Sequence, residues 1–420
     1  MESAYLILSY LGPAVIALMV GSVLLGAWFL AYTLRETRRV RSTFVPKTTV
    51  FLPCKGVDAG LQATLHAILR QDYPEYEVIC TVEAASDPAV PLIERMLEEA
   101  PGSHGRLVFA SLAQGCSQKI VNLLAAIRVS SPDSEVFAFL DSDSIPRSDW
   151  IRTMVAPLAS EKCGAVTGFR WYTAHRTFTS WLRCAWNAMA LTFLGNHPFN
   201  FCWGGSTAIR RTTFEHLQIA RRWKQVLSED FEITRAVREA RLRIHFAPNA
   251  IVPNDDDARL RPFLVFARRQ SIIVRVCLPF AWWIAALFNL LYAAVFWGGF
   301  ALALAAWSTQ ETERARSSLL IVLALLGLSA LKAAMRFAAL RRVLSSAYVG
   351  WRDLAADVFL APINALLNIY LMLVSGVSRK FWWRDIYYEL RRIDEVRILA
   401  RRGDADRRTA SVLQAYQAME

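Results

Sequence analysis

The stretch VFAFLDSDSIP (136–146) places an apolar strand directly in front of a pair of carboxylates. Val136–Leu140 is a compact apolar run of the kind that forms a buried β-strand, and Asp141 and Asp143 follow it at once. Mg²⁺ and Mn²⁺ take one or two carboxylates and leave their other positions to phosphate and water. A D-x-D pattern by itself is also typical of a surface turn, but its position after the strand favours a site for a metal and a diphosphate.

Short strands alternate with helical stretches around this motif, over residues 46–256. Three segments before the motif show the pattern, two strands with a helix between them: 49–52, 61–69 and 77–82. Such alternation predicts an α/β fold with a mostly parallel sheet, whose ligands lie at the carboxyl ends of the strands. Glu83 and Asp87 follow the second of these strands, so they are expected at the same edge of the sheet as Asp141.

A third acidic motif, LSEDFE (227–232), opens a predicted helix and contains Glu229 and Asp230. A carboxylate that deprotonates an acceptor hydroxyl must lie within hydrogen-bonding distance of it, and no sequence pattern supplies that distance. Asp230 is equally compatible with a helix-capping role. Glu232 and Arg235 are three residues apart, and a simple ion pair on the helix surface would explain them as well.

The segment WGGSTAIRR (203–211) offers two adjacent glycines, Gly204 and Gly205, that permit close approach of the backbone. Together with Ser206 they are candidates for a loop that lines a substrate, or for a simple turn that leads into a strand. His197 precedes a proline in an aromatic-rich stretch, and a lone histidine is more often structural than catalytic.

Hydrophobic residues make up 54% of the 420-residue chain and charged residues only 20%, as is ordinary for a protein that lies partly in lipid. Residues 5–32 carry no charge and are long enough to span a bilayer, so they predict an N-terminal anchor. Arginines interleaved with apolar residues over 259–277 predict a helix in the membrane interface. Apolar runs follow at 279–307, 317–334 and 354–377. The last run is expected either to be re-entrant, with a break at Pro362, or to violate the positive-inside rule.

The net charge is +12, and many of the basic residues flank the apolar runs. This distribution predicts that the α/β domain faces the cytoplasm and its anionic leaflet. No basic–aromatic single-strand motif or recognition-helix pattern occurs, so no nucleic-acid partner is expected. Seven cysteines without a C-x-x-C pair predict reduced thiols. The flanking basic groups are Arg35, Arg38, Arg39 and Arg41 after the first run, and Arg379, Lys380 and Arg384 after the last.

These patterns divide the chain into five parts. Residues 1–34 are the predicted transmembrane anchor, and residues 35–257 are the predicted cytosolic α/β domain. Residues 258–278 form the interfacial segment, 279–377 the C-terminal membrane region, and 378–420 a basic cytosolic tail.

Taken in order, eight segments resemble the ceramide glucosyltransferase family, which belongs to the GT-A-fold glycosyltransferases of family 21, close to family 2. The resemblance covers most of the chain, and KGVD followed by DYPEYEV and SED is much more specific than D-x-D alone. The matching segments are PCKGVDAGL (53–61), QDYPEYEVICTVEAASDPAV (71–90), QKIVNL (118–123), LDSDSIP (140–146), NHPFNF (196–201), WGGSTAIRR (203–211), SEDFEITRAVREARLRIHFAP (228–248) and FWWRDIYYEL (381–390).

The resemblance implies a GT-A nucleotide-sugar-binding domain and a role for each motif residue. Asp87 matches the family aspartate expected near the uridine. Asp141, with Asp143 beside it, matches the aspartate expected at Mg²⁺ or Mn²⁺ and the diphosphate. Asp230 matches the expected base for the acceptor's primary hydroxyl. Other residues lie in matching motifs: Lys55, Glu83, Lys119 and Arg269 on the nucleotide-sugar side, and His197, Gly205, Ser206 and Glu229 on the acceptor side.

The fourth motif of the family, (Q/R)xxRW, is altered in this chain. FARRQ (266–270) keeps Arg269, but Phe266 stands where Gln or Arg is expected, and Gln270 stands where Trp is expected. This departure leaves the identity of the acceptor, and with it the sugar, more open than the reaction.

The resemblance therefore implies an inverting transfer of a hexose, glucose or a related sugar, from a UDP-sugar to the primary hydroxyl of ceramide. The enzyme would be a multi-pass protein of the bacterial inner membrane. Transfer to another hydroxylated lipid such as a hopanoid, or from a uronic acid donor, stays open. A processive polysaccharide synthase shares the aspartates but needs an intact QxxRW motif and usually more membrane crossings. A non-enzymatic membrane scaffold is the third alternative, and the three retained aspartates argue against it.

Overall fold

The computed structural model describes residues 2–38, 42–100, 102 and 104–402. The predictions for Arg39, Arg41 and the tail beyond residue 402 lie outside these residues. The helices are α1 (Glu2–Glu36), α2 (Leu61–Ile68), α3 (Val90–Glu98), α4 (Gln118–Arg128), α5 (Trp150–Val155), α6 (Phe178–Leu191), α7 (Arg211–His216), α8 (Ile219–Arg222), α9 (Glu229–Glu239), α10 (Leu260–Cys277), α11 (Pro279–Ser308), α12 (Thr312–Val343), α13 (Trp351–Phe359) and α14 (Ala361–Val377). The strands are β1 (Thr48–Pro53), β2 (Tyr76–Val82), β3 (Arg106–Phe109), β4 (Val136–Leu140), β5 (Cys163–Tyr172), β6 (Ser206–Arg210), β7 (Arg243–Asn254), β8 (Lys380–Trp383), β9 (Ile386–Arg392) and β10 (Glu395–Arg401).

Seven strands form one sheet in the order β3–β2–β1–β4–β6–β5–β7. Strands β1 to β4 are parallel, β6 runs antiparallel to β4 and β5, and β7 is parallel to β5. The carboxyl ends of β1, β2, β4 and β5 therefore meet the beginning of β6 at one edge. The predicted α/β fold with a mostly parallel sheet is confirmed, as expected for the GT-A type.

The central strands are covered on both faces, which explains their unbroken apolar sequences. On one face, Phe51 of β1 stacks on Phe139 of β4 with ring centroids 5.5 Å apart, in a core shared with α4 and α9. On the other face, Val50 and Leu140 pack with α2, α3 and α5. This double packing fixes the strand ends from which the acidic loops project.

Three helices, α1, α11 and α12, are long and apolar enough to cross a membrane. They pack together around a common apolar core. A Cβ added at Gly12 would lie 2.8 Å from the Ile321 side chain, so glycine at this position lets α1 approach α12 closely. The N-terminal apolar segment and the runs at 279–307 and 317–334 are confirmed as helices.

The last apolar run consists of two helices, α13 and α14, with a bend of 63° between them. The predicted break is confirmed, and Pro362 lies in the first turn of α14. Proline is tolerated there because backbone N–H groups of a first helical turn have no partner within the helix.

Strands β8, β9 and β10 form an antiparallel sheet that packs on the α/β domain. Arg384 Nη2 lies 2.6 and 2.7 Å from the two carboxylate oxygens of Asp58, and the Gln118 backbone N–H donates to Tyr388 Oη at 3.1 Å. This sheet corrects the prediction of a simple basic tail. Ile386, Tyr388 and Leu390 are buried at every second position, and this alternation is typical of a β-strand.

Because β8–β10 contact the α/β domain, residues 380–401 lie against that domain. The bend between α13 and α14 fits both a broken span and a re-entrant loop.

A buried ion pair ties the membrane helices to the α/β domain. Arg336 of α12 is 1% exposed, and its guanidinium donates to Asp357 of α13 at 2.6 and 2.8 Å. The same guanidinium donates to Thr192 Oγ1, just after α6. Because a buried charge is tolerated only when it is paired, this contact holds α12, α13 and the segment after α6 together.

Candidate active site

The acidic motifs of the sequence meet at one edge of the large sheet. The backbone N–H of Asp141, just after β4, donates to the carbonyl of Gly205, just before β6, at 3.4 Å. A Cβ on Gly60, in the loop after β1, would lie 3.4 Å from Asp143 Cα. The loops after β1 and β4 and before β6 therefore enclose a common site.

Asp141 and Asp143 both bind the guanidinium of Arg170, near the end of β5. Arg170 Nη2 lies 3.0 Å from Asp141 Oδ2 and 2.5 Å from Asp143 Oδ1, and Nη1 lies 2.8 Å from Asp143 Oδ2. The guanidinium also lies over the rings of Trp203 and Tyr172, 5.1 and 5.6 Å from their centroids. The two predicted metal ligands thus converge on one cation that belongs to the protein.

Lys119, in the first turn of α4, joins Asp141 to Glu229. Its Nζ lies 2.6 Å from Asp141 Oδ1 and 2.5 Å from Glu229 Oε1. Burial alone would raise the pKa of Asp141, but the charges of Lys119 and Arg170 outweigh it and lower that pKa. Burial raises the pKa of Glu229 to about 7, even against the attraction of Lys119. Asp141 is thus ionised at neutral pH, whereas Glu229 titrates near it.

Gly204 and Gly205 allow the loop before β6 to pass between the acidic groups. A Cβ on Gly204 would lie 2.0 Å from Glu229 Oε1, and a Cβ on Gly205 would lie 2.6 Å from Asp141 Oδ2 and 2.2 Å from the Trp203 ring. At both glycines the backbone therefore lies close to a carboxylate, which is the close approach that the glycine pair predicts. Only glycine has the space at these two positions.

The structure corrects the placement of Ser206 in a substrate-lining loop. Ser206 is the first residue of β6 and is fully buried. Its Oγ accepts a hydrogen bond from Trp150 Nε1 at 2.9 Å and donates to the carbonyl of Ala250 at 3.3 Å. The hydroxyl therefore stabilises the core, as the alternative of a turn leading into a strand implies.

Asp230 lies in the first turn of α9, next to Glu229. Its Oδ2 accepts from the Gly204 backbone N–H at 3.0 Å, and its Oδ1 accepts from the Phe231 N–H at 2.7 Å and from the Ser228 hydroxyl. These bonds orient the half-buried carboxylate toward the glycine loop.

Glu232 and Arg235 form the expected ion pair on α9, but Glu232 is buried and does not lie on the helix surface. Arg235 Nη2 lies 2.9 Å from Glu232 Oε1. Glu232 is fully buried and also pairs with Arg222 Nη1 at 3.2 Å. Glu232 therefore serves the packing of α9 and is separate from the acidic site.

On the nucleotide side, two acidic residues organise the loop after β1. Lys55 Nζ lies 2.6 Å from Glu83 Oε1. The Asp87 carboxylate accepts from the backbone N–H of Gly56 at 2.9 and 3.2 Å and from that of Ala89 at 2.9 Å. Gly56 has φ of +65°, a conformation that favours glycine. Asp87 thus fixes a tight turn beside the predicted uridine position.

A second contact joins that loop to the C-terminal sheet. Asp58 accepts from Ser142 Oγ at 2.7 Å, within the D-x-D turn, while its carboxylate also binds Arg384. Asp58 therefore links the loop after β1, the turn after β4 and the loop before β9.

Arg269 of α10 lies over two aromatic rings. The guanidinium is 4.6 Å from the Trp383 centroid and 5.3 Å from the Phe266 centroid. Within the described part of the chain, no carboxylate lies within ion-pair distance of it, and burial lowers its pKa to about 10. The altered FARRQ motif therefore still presents a cation to the site, and the adjacent tryptophan comes from FWWRD (381–385) instead.

His197 does not join the acidic residues. It is exposed, and partial desolvation of the ring together with the charges of Arg243 and His245 lowers its pKa. Arg243 begins β7, at the edge of the sheet opposite to Asp141. The adjacent Gly195 carbonyl accepts from Trp28 Nε1 of α1 at 3.0 Å, so this loop borders the membrane anchor.

Sequence patterns did not mark three residues as part of the site: Asp58, Arg170 and Arg384. The usable signal for Arg170 is a single cation inside the otherwise apolar strand CGAVTGFRWY (163–172). A charge is rarely buried in a strand unless it has a partner, so this position predicts a counter-charge nearby. No comparable local signal marks Asp58 or Arg384.

The residues present fit a divalent cation that binds together with a phosphate ligand. Asp141 and Asp143 supply hard oxygen atoms and can share one cation, as their common contact with Arg170 Nη2 demonstrates. No group of three or more His, Cys, Asp or Glu side chains that could hold a metal occurs among the described residues. Two carboxylates satisfy Mg²⁺ or Mn²⁺ only when phosphate and water complete the coordination.

Two curated proteins that are similar to a short part of this chain are both ceramide glucosyltransferases. The ceramide glucosyltransferase of Komagataella phaffii (strain GS115) is 29% identical over 91 residues, which cover 20% of this chain and 18% of that protein. The ceramide glucosyltransferase of Gibberella zeae is 30% identical over 99 residues, 21% of this chain and 19% of that protein. The aligned parts therefore span about a fifth of each curated relative.

Two solved structures are similar at low identity. The mannosyltransferase PcManGT from Pyrobaculum calidifontis, in complex with GDP-Man and Mn²⁺, has a TM-score of 0.48 and 18% identity, covering 88% of this chain and 98% of that one. Glucosyl-3-phosphoglycerate synthase from Mycobacterium tuberculosis has a TM-score of 0.36 and 16% identity, covering 55% of this chain and 79% of that one.

The family model described as Glycosyl transferase family 21 matches residues 14–396, nearly the whole described chain. That range contains all the acidic motifs at the sheet edge, most of α1, all of α11 and α12, and the first two strands of the C-terminal sheet. The chain therefore belongs to glycosyl transferase family 21.

Proposed function

We propose that this protein transfers a hexose, glucose or a related sugar, from a UDP-sugar to the primary hydroxyl of ceramide, with inversion at the anomeric carbon. The observation that carries the proposal is the position of Gly204 and Gly205 between two carboxylates. Asp230 binds the Gly204 N–H at 3.0 Å, and Asp141 lies against Gly205. A base and a diphosphate site thus flank one short loop, as a direct displacement at a sugar carbon requires.

In the proposed reaction, Asp230 accepts the proton of the lipid hydroxyl while the hydroxyl oxygen attacks the anomeric carbon. The bond between that carbon and the β-phosphate oxygen breaks, and UDP leaves with its electron pair. Lys119 and Arg269 are the side chains placed to stabilise the negative diphosphate. When bound, Mg²⁺ or Mn²⁺ on Asp141 and Asp143 would neutralise charge on the leaving group.

The lipid acceptor is supported by the way in which the site adjoins the membrane helices. Arg269 belongs to α10, which contacts α11 and α14 and exposes Leu260 and Val265. A helix with this mixed surface suits the membrane interface, where the headgroup of a lipid is available. The proposed acceptor therefore reaches the glycine loop by lateral diffusion within the bilayer.

The proposed location is the bacterial inner membrane, with the α/β domain on the cytoplasmic side. Basic residues near the membrane support this orientation, including Arg35 at the end of α1 and Arg341 and Arg342 at the end of α12. UDP-sugars are made in the cytoplasm, so the orientation also brings the donor to the site.

Membranes that contain the protein test the function directly. They are incubated with ceramide and, one at a time, with UDP-glucose, UDP-galactose and UDP-glucuronic acid, and lipids are separated by chromatography and identified by mass spectrometry. A ceramide monohexoside with one donor supports the proposal. A glycosylated hopanoid or other lipid would overturn the ceramide assignment, and a polymer would overturn transfer to a lipid.

A further inference from the structure

We propose that Arg170 is a displaceable counter-cation of the Asp141–Asp143 pair. In this role it makes the pair bind a divalent cation weakly alone and tightly together with a nucleoside diphosphate. The inference deepens the proposed function, because the diphosphate is taken to be that of the sugar donor.

The guanidinium occupies the coordinating atoms of the pair. Arg170 Nη1 and Nη2 engage both oxygens of Asp143, at 2.8 and 2.5 Å, and Nη2 also engages Asp141 Oδ2 at 3.0 Å. The fourth oxygen, Asp141 Oδ1, binds Lys119 at 2.6 Å. A metal ion can bind these carboxylates only by displacing at least one of these cations.

Displacement of Arg170 by a metal alone is unfavourable. The side chain is 11% exposed, so a guanidinium without its carboxylates would be a nearly buried, unpaired charge. Lys119 differs in this respect, because it keeps Glu229 at 2.5 Å if Asp141 turns to a metal. Most of the free-energy cost of metal binding therefore comes from the displacement of Arg170 from its carboxylates.

A bound diphosphate offsets the free-energy cost of displacing Arg170 from its carboxylates. Its oxygens offer Arg170 new partners at the moment when the carboxylates turn to the metal, and phosphate suits the planar guanidinium well. Arg170 Nε is buried and has no hydrogen-bond partner among the described residues, so one donor is already available for a phosphate oxygen. The base of the side chain stays fixed meanwhile, because Asn187 Nδ2 donates to the Arg170 carbonyl at 2.7 Å.

Metal and diphosphate are then thermodynamically coupled, and each strengthens the binding of the other by the same factor. Arg170 carries this coupling. Without its guanidinium, the carboxylates should bind the metal more tightly when no nucleotide is present, and the nucleotide should add less to that affinity than it does in wild type.

The test measures Mn²⁺ binding to the full-length protein in detergent by electron paramagnetic resonance, with and without UDP. It compares wild type with Arg170→Met and with the matched control Arg183→Met. Arg183 lies over the same Tyr172 ring at 4.3 Å, but it pairs with Asp256 at 2.9 Å. UDP also binds Mn²⁺ in solution, but equally for all proteins, so differences between variants report the site.

UDP should tighten Mn²⁺ binding about tenfold or more in wild type and in the Arg183 variant. In Arg170→Met, Mn²⁺ alone should bind about tenfold tighter than in wild type, and UDP should add less than about threefold. Arg170→Gln, a second neutral variant, should behave the same way and serves if the methionine protein does not fold.

Mn²⁺ affinity without UDP that is unchanged or weaker in both folded neutral variants would overturn the proposal, as would undiminished coupling to UDP. A protein that binds no UDP in any form would count against the UDP-sugar donor. The comparison of Mn²⁺ alone would still decide the role of Arg170 in that case, so the two failures are distinguishable.

Discussion

Lys119 Nζ lies 2.5 Å from Glu229 Oε1 and forms the innermost ion pair of the site. The contact joins α4, which faces the diphosphate side, to α9, which carries Asp230. The Glu229 side chain is only 4% exposed, so water cannot replace the lysine as its partner. The distance between the leaving-group side and the base therefore depends on this pair.

Replacement of Lys119 by methionine should lower the free energy of unfolding by about 3–5 kcal/mol, because it leaves the buried Glu229 carboxylate without a counter-charge, while Asp141 keeps Arg170. Thermal unfolding in detergent measures the loss. The double variant Lys119→Met/Glu229→Gln removes the unpaired charge and should recover part of the stability. Equal instability of the single and double variants would contradict the assigned pairing.

Stability should depend on pH through Glu229. Its pKa is raised by burial from 4.5 to about 7, so the folded protein holds this proton more tightly than the unfolded chain does. The contribution of the protonated Glu229 to the free energy of unfolding is fully present below about pH 4.5 and is lost as the pH rises through about 7. Relative to Glu229→Gln, wild type should lose about 3 kcal/mol over that interval, measured by thermal unfolding at each pH. A difference between the two proteins that does not change with pH would rule out this role.

Asp230→Asn should reduce sugar transfer by about 100-fold or more, because an amide cannot accept the proton of the attacking hydroxyl. UDP binding, measured by calorimetry, should persist, since the proposal places the diphosphate at Asp141, whereas Asp230 contacts the Gly204 N–H. The exposed Asp133 provides a control, and Asp133→Asn should transfer sugar at the wild-type rate. Loss of UDP binding in a folded Asp230→Asn protein would contradict the assignment as base.

Gly205→Ala should abolish most activity, because the added methyl would lie 2.2 Å from the Trp203 ring and 2.6 Å from Asp141 Oδ2. The displaced groups belong to the site, so UDP binding should weaken as well. Gly115→Ala is the matched control, since its nearest neighbour would lie at an ordinary 3.8 Å. Assays of transfer and UDP binding on both variants check this, and wild-type behaviour of Gly205→Ala would show that the loop is looser than described.

Arg336→Met should destabilise the protein by about 3–5 kcal/mol, because it leaves Asp357 buried without a partner. Replacement of both residues, Arg336→Met/Asp357→Leu, should restore much of the stability, since apolar pairs often replace buried ion pairs at little cost. The melting temperatures of the three proteins in detergent provide the comparison. No recovery in the double variant would mean that other contacts of Arg336, such as Thr192, dominate.

Local patterns predicted much of the α/β domain. Val136–Leu140 was predicted with its observed bounds, and the helix beginning at Leu61 was placed within one residue, because continuous apolar runs and helical spacing report burial directly. The acidic loops followed from the same logic, since the carboxyl ends of parallel strands share an edge.

The features that the sequence did not predict depend on contacts between distant segments of the chain. Arg170 and Asp143 are 27 positions apart, and Arg384 and Asp58 are 326 apart, so no local period connects them. The apparent loss of the tryptophan in FARRQ has the same origin, because Trp383 reaches Arg269 from another part of the chain. Sequence showed which groups end each strand, while tertiary packing decides which cation neutralises which carboxylate.

The contact between Arg384 and Asp58 has a consequence for how the protein is made. Asp58 leaves the ribosome early, whereas Arg384 follows only after all membrane segments have been synthesised. This contact, which joins the loop after β1 to the C-terminal sheet, therefore cannot form until the last strands have been made. The α/β domain should reach its final arrangement at this edge only after helices α10 to α14 have been synthesised.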